Sequence, residues 1–300
     1  MRLQKTKICP YPVKYLQDNL RDITTGDFIM LCANTGTGKS TISRLFADNA
    51  IANDCPVVLY SLEDEAGMPF ANACYQLGLR EGRCQGMDLK QWLLENTENP
   101  AKYASDRQRV YEQWTQTTDT GNPYFVLHEN VDGEMWTLDK VIKQMTAEIA
   151  NGYRLFIIDH IDVLVPSELP SDMVTAMRRL WDLVSEKQVA LITFSQLAAR
   201  RNLDSLCPGL DDLRGSKAKV QTPTIVISIS RHRYGYYQAR SNPTYMRILK
   251  NRFGRTGCGI VYFDRGRYDD FYTNADCNES GTFIDGMTAK DLARLQRRQQ

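Results

Sequence analysis

The chain has 300 residues, 42% hydrophobic and 24% charged, with a formal net charge of +1. That length suits one large α/β domain or two small ones, with room for a sizeable core. Apolar runs are strand-sized, far short of the ~20 residues that cross a bilayer, and no apolar stretch follows the basic N-terminus, so neither a membrane anchor nor a secretory leader is expected.

In chain order, residues 1–23 read as a lead-in arm: Pro10 and Pro12, then a short helical pattern from Val13 to Leu20. The apolar run Phe28–Cys32 reads as a buried strand. Ala33-Asn34-Thr35-Gly36-Thr37-Gly38-Lys39-Ser40-Thr41 follows, opening a helix in which Ile42, Leu45 and Phe46 share a face. Strand, glycine-bearing turn and helix are the context that a phosphate-binding loop requires. Gly36 and Gly38 let backbone N–H groups turn inward at a helix start already polarised for anions. Lys39 is placed to reach β- and γ-phosphates and Ser40 to hold Mg²⁺, so a nucleoside triphosphate is the expected ligand. Ala33 stands where the usual pattern begins with glycine, at little cost if φ stays negative there.

A second strand, Pro56–Tyr60, closes on Ser61-Leu62-Glu63-Asp64-Glu65. Residues 68–120 read as helices and polar connections anchored by Trp92 and Trp114. Then come a strand at Tyr124–Leu127, a helix from Leu138 to Ile149, a strand at Leu155–Ile158 ending in Asp159, a helix from Met173 to Val184, and a strand at Val189–Phe194. Such alternation predicts an α/β fold with a mainly parallel sheet flanked by helices. From Thr224 on, strands at Ile225–Ile229, Tyr245–Leu249 and Gly259–Phe263 are closely spaced and predict antiparallel additions at one edge. Residues 273–300 form a polar tail with a basic amphipathic end.

In a parallel sheet, ligands sit at the carboxyl ends of the strands. Asp159 is there, where a carboxylate orders Mg²⁺ or caps a helix. Glu63 ends the strand after the loop's helix, where it can polarise an attacking water; Asp64 and Glu65 beside it leave the assignment open. Gln196 can hydrogen-bond a γ-phosphate or serve as a loop cap. Lys250 and Arg252 project from one face of a strand end, as a pair suited to phosphoryl charge or as solvated edge cations. On the edge addition they are placed to serve a neighbouring subunit's nucleotide.

The near-neutral total hides a basic block. No acidic residue lies between Asp212 and Asp264, a stretch holding Arg214, Lys217, Lys219, Arg231, Arg247, Lys250, Arg252 and Arg255. Residues 197–223 lack apolar periodicity and carry Arg200, Arg201, Arg214, Lys217 and Lys219 around Gly209 and Gly215, a pattern for gripping a polyanion backbone. The eight cysteines form no Cys-x-x-Cys pair and read as reduced intracellular thiols; His128, His160 and His232 stand at no zinc-ligand spacing to them.

Over residues 24–272 the chain resembles the ATPase domain of DnaB-like ring-shaped replicative helicases and their phage and mitochondrial relatives. The resemblance rests on Ala33–Thr41, Ser61-Leu62-Glu63, residues 156–162, Ser195-Gln196-Leu197, Asp212-Leu213-Arg214-Gly215-Ser216 and the segment Arg247–Gly254, in that order. It implies a RecA-like P-loop NTPase using ATP and Mg²⁺, with Glu63 as catalytic base, Asp159 and Ser40 on the metal, and Gln196 as γ-phosphate sensor. Lys250 and Arg252 are then implied to act in trans, Arg252 as arginine finger, and Arg231 to contact nucleotide across the interface. Arg200, Arg201, Arg214, Gly215, Ser216, Lys217 and Lys219 are implied to bind single-stranded DNA in the channel of a homo-hexamer moving 5′→3′. Thr222-Pro223-Thr224 departs from the acidic residue usual there. A primase, polymerase or loader is expected on separate chains, residues 8–22 as an arm on the neighbouring subunit, and a cytoplasmic setting, phage-encoded or cellular. The competing readings are a RecA- or RadA-like recombination ATPase and a KaiC-like nucleotide-gated assembly ATPase.

Overall fold

The computed structural model describes residues 5–131, 135–166, 169–197, 208–210, 213, 218–231, 242–264 and 267–275. The chain opens with β1 (Lys7–Cys9), α1 (Lys14–Asn19) and β2 (Ile23–Thr24), then β3 (Phe28–Ala33) and α2 (Lys39–Ala52). β4 (Val57–Glu65) leads into α3 (Met68–Arg80), α4 (Leu89–Glu98) and α5 (Ala104–Trp114). Next are β5 (Phe125–Asn130), α6 (Leu138–Ala150), β6 (Leu155–Asp159), α7 (Ile161–Leu164), α8 (Pro170–Lys187) and β7 (Ala190–Gln196). α9 (Ala218–Gln221), β8 (Ile225–Arg231), β9 (Asn242–Asn251), β10 (Gly257–Asp264) and β11 (Arg267–Ala275) complete the described chain.

Among the described residues, nine strands form one sheet in the order β11-β10-β9-β8-β3-β7-β6-β4-β5. β3 lies inside it and is buried along its whole length, as a parallel strand covered on both faces must be. Its side chains alternate: Ile29, Leu31 and Ala33 enter the core beneath α1 and α2, whereas Phe28, Met30 and Cys32 enter the core beneath α6 and α8. α3, α4 and α5 enclose a third cluster around Trp92 and Tyr103, as the sequence predicts for 68–120. Start signals are local. Asp88 and Gln91 form a reciprocal capping box on α4, and Thr137 accepts from Lys140 N at the start of α6.

The parallel core and antiparallel edge match expectation, with two differences. The spacing groups β8 with the edge additions, yet it pairs in parallel with β3, and the antiparallel strands begin only at β9. Part of the expected polar tail belongs to β11, whose charged stretch Arg267–Asp270 hides a strand that pairs antiparallel with β10 at the sheet edge.

In the N-terminal segment, Cys9, Tyr11, Val13, Tyr15, Leu16, Leu20 and Ile23 join the core of the chain. Tyr15 lies against Tyr272 with ring centroids 5.3 Å apart, and a Cβ on Gly259 would come within 2.4 Å of the Tyr15 ring. Replacing Tyr15 by alanine is therefore expected to lower unfolding free energy by about 3–5 kcal/mol, measurable by urea denaturation. No described helix is long and apolar enough to cross a membrane.

Candidate active site

The turn after β3 is built as its residue types require. Ala33 is the last ladder residue, paired with Gln196 on one side and Ile229 on the other, which explains why glycine is not needed there. Gly36 and Gly38 take φ of +76° and +93°, a region L-residues rarely enter. α2 begins at Lys39, and Thr37 and Lys39 are both buried. A helix start, whose first N–H groups have no intrahelical partner, and a buried lysine thus occur together at this turn, the elements of an anion site built largely from backbone.

Asp159, at the end of β6, meets the first turns of α2. The Ser43 hydroxyl donates to Asp159 Oδ2 at 2.8 Å and lies 3.0 Å from the Ser40 carbonyl oxygen. Burial raises the Asp159 pKa to about 6; the Ser43 hydrogen bond opposes that rise, and the nearby Asp64 charge adds to it. Its other oxygen, Oδ1, is buried without a hydrogen bond among the described residues. A buried, lone-pair-bearing carboxylate oxygen beside the Ser40 hydroxyl is what a hard divalent cation favours, so these residues fit Mg²⁺.

The acidic cluster divides in two. Asp64 turns toward the loop: burial raises its pKa, while a Ser40 hydrogen bond and the Lys39 charge oppose the rise. Glu63 turns instead to His160, with Nε2 to Oε2 at 3.0 Å. Gln196 Nε2 is 3.4 Å from the same His160 nitrogen. Glu63, His160 and Gln196 thus converge, from β4, from the turn after β6 and from β7, at the carboxyl end of the sheet. Sequence reasoning weighs His160 by itself only as a metal ligand; its signal is its place as the polar residue directly after the Asp159 strand.

Behind them sits Asp162. It accepts from Ser195 Oγ at 3.0 Å and from Gln196 N at 2.9 Å, faces His160 Nδ1 at 3.3 Å, and forms an ion pair with Lys219. Burial pushes its pKa up, but the His160 hydrogen bond and the Lys219 charge outweigh that and hold it well below the usual carboxylate range. Lys219 itself is only 2% exposed. Its ammonium is turned into the protein and paired with Asp162.

Lys250 and Arg252 come together at the carboxyl end of α9. Lys250 Nζ donates to the Val220 and Gln221 carbonyls, both at 2.7 Å, and Arg252 donates to the Gln221 carbonyl at 3.0 Å. Burial, aided by the Arg252 charge, lowers the Lys250 pKa to about 8. The Arg252 guanidinium also lies 5.6 Å from the Trp181 ring centroid. The pair stands at the end of the sheet away from its own loop. Asn251 is level with Ile225, Ile225 with Ile29, and the loop begins only beyond Ala33, four residues or about 13 Å further along the strand.

Arg200, Arg201, Arg214, Gly215, Ser216 and Lys217 lie outside the described residues, as does the Arg231 side chain. No group of three or more His, Cys, Asp or Glu suited to a metal occurs among the described residues.

A family model, the DnaB-like helicase C terminal domain, matches residues 12–272. Among solved structures, one described as an ATPase domain superposes with a TM-score of 0.70 at 18% identity, over 89% of this chain and 92% of that one. A DnaB-like replicative helicase, described with its interactions with primase, superposes with a TM-score of 0.69 at 18% identity, over 88% of this chain and 62% of the other. No curated protein matches the chain.

Proposed function

The chain belongs to the DnaB-like helicases, and from that premise we propose that it is an ATP-driven replicative DNA helicase that works as a ring and hydrolyses ATP between subunits. The observation that carries the reading is the separation of two half-sites on one subunit. Phosphate loop, Asp159 and the Glu63–His160–Gln196 cluster gather at one end of the sheet, whereas Lys250 and Arg252 stand at the other. A cation pair that far from its own loop serves a nucleotide held by a neighbour, and repetition of such a head-to-tail contact closes a ring.

In this mechanism the N–H groups of the loop and Lys39 hold the phosphates. Ser40 and Asp159 hold Mg²⁺, which supplies charge neutralisation when bound. Glu63 orients and polarises the attacking water, with His160 fixing the carboxylate. Gln196 bonds the γ-phosphate, and Arg252 from the next subunit stabilises the charge that develops on it. Arg231 adds a contact across the same interface. The homo-hexameric state and the 5′→3′ direction follow from family membership and belong to the same proposal, as does a partnership with a separate primase, polymerase or loader.

Single-stranded DNA is proposed to be held by Arg200, Arg201, Arg214, Gly215, Ser216 and Lys217, in the basic segment before α9. Replacing Lys217 by alanine is expected to weaken oligonucleotide binding and to flatten the log K against log salt slope by about 0.7 per lost phosphate contact. Fluorescence anisotropy across a salt series checks it; an unchanged slope removes Lys217 from the contact set.

A forked-duplex unwinding assay with ATP tests the whole reading. Unwinding supports it. Strand exchange without unwinding marks a recombination ATPase, and nucleotide-dependent assembly without either marks a gated assembly ATPase.

A further inference from the structure

α9 is one turn long, yet it touches both halves of the site. From its flank, Lys219 reaches Asp162 Oδ1, while the other oxygen, Oδ2, accepts from Ser195 Oγ and Gln196 N and faces His160. At its carboxyl end, the Val220 and Gln221 carbonyls hold Lys250 and Arg252. Few backbone hydrogen bonds fix so short a helix, so its position depends on these side-chain contacts. An ion pair with one partner only 2% exposed is strong in direction because it cannot exchange readily with water. The carbonyls at the helix end carry partial negative charge, which suits the two cations parked on them.

We propose that Lys219, tied to Asp162, is a positioning residue: through α9 it sets where Lys250 and Arg252 stand, and so links the state of a subunit's own γ-phosphate cluster to the cations that it offers to the next subunit. The inference rests on the in-trans role of Arg252 proposed above. On the proposed reading, Gln196 and His160 meet the incoming γ-phosphate. When they re-form their hydrogen bonds around it, Asp162 loses or gains partners. Lys219 then follows Asp162, and the carbonyls that hold the finger pair move with α9. A displacement of about 1 Å at a charge-stabilising group is enough to change turnover by two orders of magnitude.

The test uses Lys219→Met in the full chain. Uniform assemblies of this variant are expected to hydrolyse ATP on the order of 10- to 100-fold more slowly, with nucleotide affinity within about twofold of the parent. Mixing with Lys39→Ala subunits is the deciding experiment. A Lys39→Ala subunit cannot hydrolyse but offers an intact finger, so it is expected to restore turnover at the Lys219→Met sites beside it, as it does for Arg252→Ala. Recovery with Arg252→Ala but not with Lys219→Met overturns the inference and leaves the finger reading standing, since the damage then lies in the variant's own site. Unchanged turnover in uniform Lys219→Met also overturns it. Failure of the Arg252→Ala mixture removes the finger reading and this inference with it. Should Lys219→Met fail to fold because Asp162 is left unpaired, the double variant Asp162→Asn/Lys219→Met removes both charges, and the same mixing outcomes decide.

Discussion

Replacing Arg252 by alanine is expected to reduce ATP turnover by about 10³-fold or more while nucleotide affinity stays within a few-fold. The reason is geometric. Arg252 N bonds the Thr224 carbonyl, and Thr224 N bonds the Phe28 carbonyl, so the arginine is level with the first residue of β3. The phosphate loop lies past the last residue of that strand. A guanidinium so placed is too far along the sheet to touch a nucleotide held by the loop of its own chain, and under the proposed in-trans role its loss falls on the transition state at the next subunit. Mixing Arg252→Ala with Lys39→Ala subunits is expected to recover part of the activity, because composite sites with one intact half from each then form. Steady-state hydrolysis across a titration of the two variants measures this. A strictly additive decline of activity with mixing ratio would falsify the composite site.

Changing Glu63 to glutamine has the second large expected effect, a loss of about 10²–10⁴-fold in kcat with little change in KM for ATP. The sequence offers Glu63, Asp64 and Glu65 as candidates, and the structure separates them. Glu63 pairs with His160 beside Gln196, where an attacking water belongs. Asp64 leans on Ser40 and Lys39, beside the place proposed for the metal. Asp64→Asn is accordingly expected to raise KM for the magnesium nucleotide more than it lowers kcat. The reverse pattern, a kcat defect in Asp64→Asn and a KM defect in Glu63→Gln, would exchange the two assignments.

The features that can be read from sequence are those whose causes are local. An apolar run followed by Gly36, Gly38, Lys39 and Ser40 has few other structures open to it, because positive φ at both glycines and a helix start at Lys39 are consequences of nearby residues. Asp159 and Gln196 are legible because each ends an apolar run, and the strand period alone brings them to the ligand end of the sheet. β8 shows where such reasoning stops. A short apolar strand reads alike whether its neighbour runs parallel or antiparallel, and the choice between β3 and an edge hairpin lies in pairing across nearly two hundred residues.

Sequence by itself thus determined the α/β class, the glycine-bearing loop before α2 and the placement of Asp159 and Gln196 at strand ends, because periodicity and turn chemistry act over a few residues. Tertiary structure alone decided which acid stands beside His160, that Lys219 turns inward to Asp162 rather than outward as a surface cation, and that Arg252 is level with the start of β3, at the far end of the sheet from the glycine-bearing turn. Each of those depends on which strands become neighbours, and a charged side chain carries no mark of the partner that will neutralise it until the fold brings the two together.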